Sequence, residues 1–357
     1  GEYYHVATDN RFPYRVYATQ QDNTALSTPS RSNRGAISWT ECYNVGSAES
    51  GHIAVDPRDP NVVYSGAFGS YVGAGPIMLR YDHKTGQSRS VTVWPDVTGL
   101  TVKDRRYRFE WDSPIVFSPH DPAVIYSAAN VVFKTTDEGT SWQVISPDLT
   151  RKALADKEEI DLEINIAPYE RSAIARLAES PIEPGLIWVG TTDGVVQLSR
   201  DGGKNWSDVT PKELPENCST SSIEASHHDP GTAYISATNY QVGDYRPYLF
   251  RTIDYGNSWT SINDGIDPED FTRVIREDPN QEELIFTGTE GGPYVSFDAG
   301  GSWEVLQLNL PSVPIHDMVI NGTDLVVATH GRAIWILDDL TPLHEIAEGT
   351  VDNDVHL

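Results

Sequence analysis

A short motif that occurs four times constrains the fold of this chain more than any other feature. The pattern Ser/Thr-x-Asp-x-Gly-x-x-Trp spans residues 135–142, 199–206, 252–259 and 296–303. Four of the nine tryptophans lie in these copies, and each copy follows a short run of strand-forming residues. We predict a hairpin turn that the aspartate side chain caps, with glycine at a position of unusual backbone angles. The tryptophan then begins the next strand and packs between neighbouring units.

A second repeat lies upstream of the first. A proline-containing turn is followed seven residues later by a large aromatic residue, in the pairs Pro57 and Tyr64, Pro119 and Tyr126, Pro181 and Trp188, and Pro279 and Phe286. Alternating apolar residues flank these turns on both sides. The two patterns together predict four strands in each unit: one before the proline turn, the aromatic strand, a third strand, and the tryptophan strand after the aspartate turn.

The aromatic strand gives the number of units. It recurs seven times, with valine in the matching place of the last unit: Tyr17, Tyr64, Tyr126, Trp188, Tyr234, Phe286 and Val327. Units of roughly 40–60 residues have the size of a four-stranded propeller blade. We predict an all-β fold, a seven-bladed β-propeller over residues 1–343, with residues 344–357 as a tail or a linker to a downstream region. We expect residues 3–6 to pair with the last blade.

Composition excludes several classes of function. Asp and Glu number 52 and Lys and Arg 26, for a formal charge of −26, which argues against nucleic acid or anionic lipid as a ligand. No apolar run reaches the ~18–20 residues that a membrane span requires. The scarcity of lysine is typical of salt-tolerant proteins and equally of acidic secreted ones. The two cysteines, Cys42 and Cys218, are too few for a disulfide framework or a four-ligand zinc site.

The repeated motif resembles that of the Asp-box (BNR-repeat) propellers. Further segments carry the same resemblance, namely DNRFPYRVYATQQDN (9–23), YRPYLFRTIDYGNSW (245–259) and THGRAIWILDDLTPL (329–343). This group includes sialidases, two-propeller xyloglucanases and sortilin-type ectodomains, and the segments look like those of large secreted bacterial proteins of glycosyl-hydrolase-like or sortilin-like type. The resemblance implies an extracellular or periplasmic protein whose chain continues into further domains.

Propeller geometry separates two faces. The proline turns and the aspartate turns lie on one face, and the loops after the aromatic strands and the connections between blades lie on the other. Insertions at residues 91–112, 148–175 and 238–247 fall on this second face, where they would form walls. Since function usually resides in loops on a rigid scaffold, we expect the second face to bind a ligand.

Candidate site residues are polar or aromatic side chains of this second face. The substrate-binding candidates are Asp22, Glu49, Arg108, Arg176, Tyr240, Tyr245, Arg273, Glu290, His330 and Arg332. Glycoside hydrolysis usually needs two carboxyl groups, ~5–5.5 Å apart for retention and ~6.5–9.5 Å apart for inversion. We predict Asp112 and Glu224 as the catalytic pair. The alternative is that such carboxylates only pair with arginines around a wet channel.

Other chemistries have less support. The chain contains no HExxH, GxSxG or P-loop pattern, and His227 and His228 occupy a turn position typical of surface residues. We therefore predict no cofactor and no metal site. The favoured function is a secreted glycoside-hydrolase-like protein that acts on an extracellular polysaccharide. The alternatives are a sortilin-like propeller that binds peptides or a partner protein, and a structural module of a larger exoprotein, because the fold alone does not choose.

Overall fold

The computed structural model describes residues 1–20, 23–46, 51–67, 77–94, 106–151 and 172–349. In the described chain, blade 1 contains β1 (Tyr3–Thr8), β2 (Arg15–Gln20), β3 (Ala25–Pro29) and β4 (Tyr43–Asn44), and blade 2 contains β5 (Ile53–Val55), β6 (Val62–Ala67), β7 (Ile77–Asp82) and β8 (Gln87–Ser90). Blade 3 contains β9 (Ile115–Phe117), β10 (Ile125–Ala128), β11 (Val132–Thr135) and β12 (Gln143–Val144). Blade 4 contains β13 (Ile174–Glu179), β14 (Ile187–Thr191), β15 (Val196–Ser199) and β16 (Ser207–Asp208).

Blade 5 contains β17 (Ser219–Ala225), β18 (Ala233–Asn239), β19 (Asp244–Thr252) and β20 (Thr260–Ser261). Blade 6 contains β21 (Thr272–Glu277), β22 (Ile285–Thr289), β23 (Pro293–Ser296) and β24 (Glu304–Val305). Blade 7 contains β25 (Ile315–Asn321), β26 (Asp324–Thr329) and β27 (Ile334–Leu337). Short 3-10 helices span Trp39–Glu41 and Tyr240–Val242, and helix α1 spans Thr341–Ala347. Among the residues that the structure describes, no helix has the length and apolar character needed to cross a membrane.

The described strands form seven antiparallel sheets, and their first strands surround a central channel. β1 contacts β5 and β25, β5 contacts β9, and β17 contacts both β13 and β21. The contacts of β10 with β13 and of β25 with β21 complete the ring. Each predicted aromatic strand is the second strand of its sheet, and its marker residue is buried in every case: Tyr17, Tyr64, Tyr126, Trp188, Tyr234, Phe286 and Val327. The prediction of a seven-bladed propeller is therefore confirmed.

The expected position of the N-terminal segment is wrong. Strand β1 is the innermost strand of blade 1, where Ala7 lies opposite Tyr17 of β2. Its contacts with blade 7 are the isolated bridge between Glu2 and His330 and side-chain bonds such as that of the Val6 N–H to Asp317, and not strand pairing. The physical reason is a short hairpin turn that Asp9 stabilises, since its Oδ1 accepts the backbone N–H groups of Arg11 and Arg15. Closing such a short loop costs less entropy than pairing the two ends of the chain.

The four aspartates of the repeated motif cap their turns as predicted. In each copy the aspartate Oδ1 accepts the backbone N–H of the residue four positions on, at 2.9 Å each time: Ser141, Asn205, Ser258 and Ser302. The hydroxyl of the leading Ser or Thr accepts the glycine N–H in all four copies. The hydrogen bond from the Ser141 hydroxyl, with further turn bonds, lowers the pKa of Asp137 to about 2. These carboxylates are therefore ionised structural groups.

The tryptophan of each motif joins its blade to the blade before it. The indole Nε1 donates to a backbone carbonyl of the preceding blade in four pairs: Trp142 to Val91 (3.0 Å), Trp206 to Ile145 (3.3 Å), Trp259 to Val209 (2.6 Å) and Trp303 to Ile262 (2.6 Å). Each acceptor is the residue that directly follows the fourth strand of its blade. We call this contact the tryptophan latch, and it connects blades 2 to 6 in sequence.

The glycine of each motif packs against the same acceptor residue. A Cβ atom on Gly139 would lie 2.7 Å from the Cβ of Val91, and one on Gly300 would lie 2.6 Å from the Cδ1 of Ile262. These glycines also have φ of +76° and +90°, a region that other residues rarely adopt. Glycine is thus required both by the turn and by the close approach of the next blade.

The latch predicts a clear order of stability among tryptophan variants. Trp303 is 5 % exposed, so Trp303→Ala should lower the free energy of unfolding by about 3–5 kcal/mol. Trp303→Phe keeps most of the ring but loses the N–H donor, and should cost about 1–2 kcal/mol. Urea unfolding measures both. Trp39→Ala is the control because that ring is 84 % exposed, and an equal loss in Trp39→Ala and Trp303→Ala would contradict the latch.

The glycine contact gives a second prediction with a matched control. Gly300 and Gly35 have similar φ values of +90° and +81°, but a Cβ on Gly35 meets no atom within 4 Å. Alanine at either position pays the same backbone strain, and only Gly300→Ala adds a collision with Ile262. We expect Gly300→Ala to be less stable than Gly35→Ala by about 1–3 kcal/mol in urea unfolding. Equal losses would show that the turn, and not the neighbouring blade, requires glycine.

Candidate functional site

A cavity of about 450 Å³ opens on the face that carries the blade connections and the loops after the second strands. Its wall comes from the starts of inner strands, from the segment before β9 and from second-strand loops, and includes Tyr4, His5, Glu110, Trp111, Asp112, Arg176, Tyr240, Arg273, Glu290, His316 and His330. A second, apolar groove between blades 6 and 7 has only about 60 Å³ and is lined by residues such as Leu308 and Trp335. The larger cavity, with its charged and aromatic wall, is therefore the candidate site.

Six residues of the predicted set line this cavity together: Asp112, Arg176, Tyr240, Arg273, Glu290 and His330. Two others, Asp22 and Glu49, lie outside the described residues, as do parts of the predicted insertions at 91–112 and 148–175. The remaining candidates lie in the described chain but not in the cavity wall.

Arg108 is bound by its own neighbours, since it pairs with Asp148 at 2.9 Å and donates to the carbonyl of Ser172. Tyr245 is 52 % exposed and leans against Phe271. Arg332 is exposed in the loop of blade 7, where its backbone N–H donates to Thr329. Each of these three side chains points to a structural contact or to solvent.

Glu224 lies on strand β17, whose first residues reach the cavity through Ser219 and Ser221. A strand rises ~3.3 Å per residue, so Glu224 is about 10 Å farther along the channel than Ser221. Its carboxylate is 3.5 Å from Arg276 and 3.5 Å from His227. The partnership of Asp112 and Glu224 therefore stays a prediction, and the carboxylates that share the cavity with Asp112 are Glu110 and Glu290.

Asp112 is an ionised carboxylate held between the Arg176 guanidinium and the His5 ring. Its Oδ2 lies 3.0 Å from the Arg176 guanidinium and 3.1 Å from the Nε2 of His5. Burial alone would raise the pKa of Asp112, but Arg176 and the hydrogen bond from His5 outweigh burial and lower it. Asp112 can accept a proton or stabilise positive charge, but it does not carry a proton to donate near neutral pH.

A line of ion pairs continues from Asp112 along the channel. The Nδ1 of His5 is 3.4 Å from Asp317, and Asp317 accepts a hydrogen bond from Arg276 at 2.7 Å. Arg276 in turn lies 3.5 Å from Glu224. Burial disfavours charge on His5, but its bonds to the two aspartates raise its pKa above the usual value. The predicted pattern of carboxylates paired with arginines is thus present beside the cavity.

Aromatic side chains form the other part of the wall. Tyr4 contacts Trp111 edge to face at 5.2 Å and contacts His316 in the same way at 5.1 Å. His316 stacks on His330 at 4.5 Å, and burial lowers the pKa of His316 to about 2, so this ring is neutral. Tyr240, which also lies in the cavity wall, stacks on Phe271 at 4.8 Å. These rings offer flat apolar surfaces close to charged groups.

Arg273 and Glu290 form a second ion pair in the cavity wall. The Nε and Nη2 of Arg273 both donate to the Oε2 of Glu290, at 2.9 and 2.6 Å. The guanidinium also lies 4.8 Å over the ring of Phe271. This pair connects β21 to the loop after β22, and it leaves the Glu290 Oε1 for a ligand.

The sequence prediction missed several residues of the cavity wall, and Tyr4, His5 and Trp111 are among them. Tyr4 and His5 were missed because β1 was expected beside the last blade and not as an inner strand. Trp111 lies next to Asp112, and its aromatic character was the available signal. Placing β1 in blade 1 would have added a histidine to the inner ring.

The cluster around His227 predicts a pH-dependent contribution to stability. Burial lowers the pKa of His227, but Glu224, Glu277 and Asp278 raise it to a net value above the usual one. A raised folded-state pKa means that the stabilisation is full below about pH 6.5 and is lost as pH rises through the folded value. We expect the difference in melting temperature between wild type and His227→Gln to shrink from about pH 6 to about pH 8.5. A difference independent of pH would contradict this pairing.

Comparisons with known proteins show what this architecture is similar to. No protein-family model matches the chain. An oligoxyloglucan reducing-end-specific xyloglucanase of Emericella nidulans is 24 % identical over 271 residues, which are 72 % of this chain and 30 % of that enzyme. The solved GH74 xyloglucanase of Xanthomonas campestris matches with a TM-score of 0.65 and 17 % identity, over 96 % of this chain and 52 % of that one.

The GH74 enzyme of Niastella koreensis is similar in structure as well, with a TM-score of 0.65 and 14 % identity, over 96 % of this chain and 53 % of that one. The chain thus spans about half the length of these solved structures and 30 % of the curated relative. At these identities the structural likeness shows the propeller fold.

Proposed function

We propose that this chain is a glycan-directed propeller of the glycoside-hydrolase type, which binds a polysaccharide segment in the cavity on its loop face. The observation that carries the proposal is the combination of aromatic surfaces with paired carboxylates and guanidinium groups in one 450 Å³ cavity. The similarity to xyloglucanases supports a β-glucan such as xyloglucan as the first substrate to test. A polymer of this kind is met outside the cytoplasm, which supports an extracellular or periplasmic location.

The chemistry of a sugar suits this wall. A pyranose ring has apolar C–H faces that pack on aromatic rings, and its hydroxyl groups bond to charged side chains. Trp111 and Tyr240 would supply the stacking surfaces, and Arg176 and Glu290 would supply the hydrogen bonds. The cavity volume lies within the ~300–1,000 Å³ usual for small-molecule sites, so one or two sugar units fit.

Hydrolysis would assign Asp112 a definite role. Since Arg176 and His5 hold it ionised, Asp112 would act as the base or nucleophile, and a second carboxyl group would donate the proton to the leaving group. Glu110 and Glu290 share the cavity with it and are candidates for that acid, beside the sequence-predicted Glu224. Further domains of a longer polypeptide would extend the binding surface.

The proposal predicts separate effects on binding and turnover. Trp111→Ala should weaken binding of xyloglucan oligosaccharides at least ~10-fold, the equivalent of about 1.4 kcal/mol, in isothermal titration calorimetry. Asp112→Asn should abolish the release of reducing ends and leave binding within a few-fold. Glu110→Gln, Glu290→Gln and Glu224→Gln, measured for reducing ends, then identify the acid.

Trp39→Ala is the matched control, since this exposed tryptophan lies outside the cavity wall. A panel of xyloglucan, cellulose and xylan oligosaccharides that shows no binding to the wild type would refute the glycan proposal. Binding without turnover would leave a non-catalytic binding propeller. Binding that Trp111→Ala does not change would place the sugar elsewhere on the chain.

A further inference from the structure

A cluster of two histidines and an aspartate lies where the cavity meets the channel. One ligand atom from each of His5, His52 and Asp112 lies within 4.8 Å of the other two. We propose that this cluster binds a divalent transition-metal ion such as Zn²⁺. The argument for this site does not rest on the glycan function, although both proposals use Asp112, and it departs from the sequence prediction of no metal site.

The unpartnered nitrogen of His52 is the first argument. Its Nε2 is buried and has no hydrogen-bond partner among the described residues. Buried polar atoms without partners are rare in folded proteins and call for an explanation. The His52 ring stacks on His5 at 3.8 Å, with an interplanar angle of 24°. A metal ion that His5 and His52 share would satisfy this nitrogen.

The surroundings of His5 are the second argument. Its Nδ1 faces the Asp317 carboxylate at 3.4 Å, and its Nε2 faces Asp112 at 3.1 Å. Metal-binding histidines usually donate the other ring N–H to a carboxylate, which orients the ring and makes it a better ligand. The metal would take the place of the hydrogen between His5 and Asp112. Asp317 would then be a positioning residue.

The donor set selects the class of metal. Two imidazole nitrogens and one carboxylate oxygen suit Zn²⁺, Co²⁺, Ni²⁺ or Cu²⁺, whereas Ca²⁺ and Mg²⁺ prefer oxygen ligands. His5 and Asp112 line the cavity, so a fourth position would be open to water or to a bound hydroxyl group. Asp112 and Asp317 supply two negative charges beside the ion, and Arg176 is the cation that competes for Asp112.

Binding requires a modest closure of the cluster. Tetrahedral zinc with bonds of ~2.0–2.1 Å places its ligand atoms roughly 3.4 Å apart, so atoms now up to 4.8 Å apart must approach. The stacked rings are nearly parallel, and the His52 ring must therefore turn about its side-chain torsions. Within the part of the chain that the structure describes, the His52 Nε2 has no hydrogen bond that this rotation would break.

The test measures Zn²⁺ alone on the purified chain. After treatment with a chelator and dialysis against Zn²⁺, metal analysis should find one equivalent bound, and calorimetry should give a single site. His52→Gln should weaken that affinity at least ~100-fold, and Asp317→Asn should weaken it ~10–100-fold through the orientation of His5. Circular dichroism shows whether each variant is folded.

His227→Gln is the control, because the adjacent residues His227 and His228 lie outside the cluster and would bind zinc only adventitiously. Loss of binding in His227→Gln with retention in His52→Gln would overturn the proposal, as would a wild type that holds less than a stoichiometric amount. Where His52→Gln fails to fold, zinc X-ray absorption of the wild type decides. Two imidazoles and a carboxylate support the site, and an oxygen-only shell refutes it.

Discussion

The tryptophan latch is the contact on which the ring depends. The carbonyl of one residue at the end of a blade accepts the indole N–H of the next blade, as Ile262 accepts from Trp303. The side chain of the same residue packs against the glycine of the motif that contains this tryptophan, as Ile262 packs against Gly300. A directional bond and a close apolar contact therefore fix the same junction. This explains why aspartate, glycine and tryptophan recur together at constant spacing: the aspartate shapes the turn that aims the other two.

Three junctions of the described chain lack the latch, and polar side chains form hydrogen bonds there beside the apolar packing. Asn280 donates to the Gly322 carbonyl between blades 6 and 7, Tyr14 bonds Asp324 between blades 7 and 1, and Tyr17 donates to the Pro60 carbonyl between blades 1 and 2. The ion pairs from Arg276 through Asp317 to His5 cross the first two of these junctions inside the channel, and the pair of His5 with Asp112 reaches from blade 1 to the segment before β9. Some of the contacts that close the ring are therefore also the charged groups beside the cavity.

The sequence predicted those parts of the molecule that depend on local, repeated contacts. The blades, the seven buried aromatic-strand positions and the capped turns follow from spacing, because each involves residues a few positions apart. The place of β1 does not follow from spacing, because an inner strand of blade 1 and a strand of blade 7 would show the same alternation of apolar and polar residues. The cavity was predicted in part: Arg273 and Glu290 meet in its wall, whereas Glu224 lies on β17 about 10 Å beyond Ser221 and its role stays a prediction. The spacing of a residue in the repeat predicts the strand on which it lies and the face to which it points. Its depth along the channel depends on the residue at which that strand begins.

Asp112 is the residue at which the two proposals make opposite demands. As a base or nucleophile Asp112 must keep an oxygen free for the sugar, and as a metal ligand it must give an oxygen to the ion. Its Oδ2 lies against both Arg176 and His5, so an ion in the place of the His5 hydrogen would bind Oδ2 and leave Oδ1 to the sugar. Bound zinc would nevertheless oppose hydrolysis, because it withdraws electron density from the carboxylate and makes Oδ1 a weaker base and nucleophile. The conflict arises because the fold brings Asp112 both to the cavity and to the two histidines.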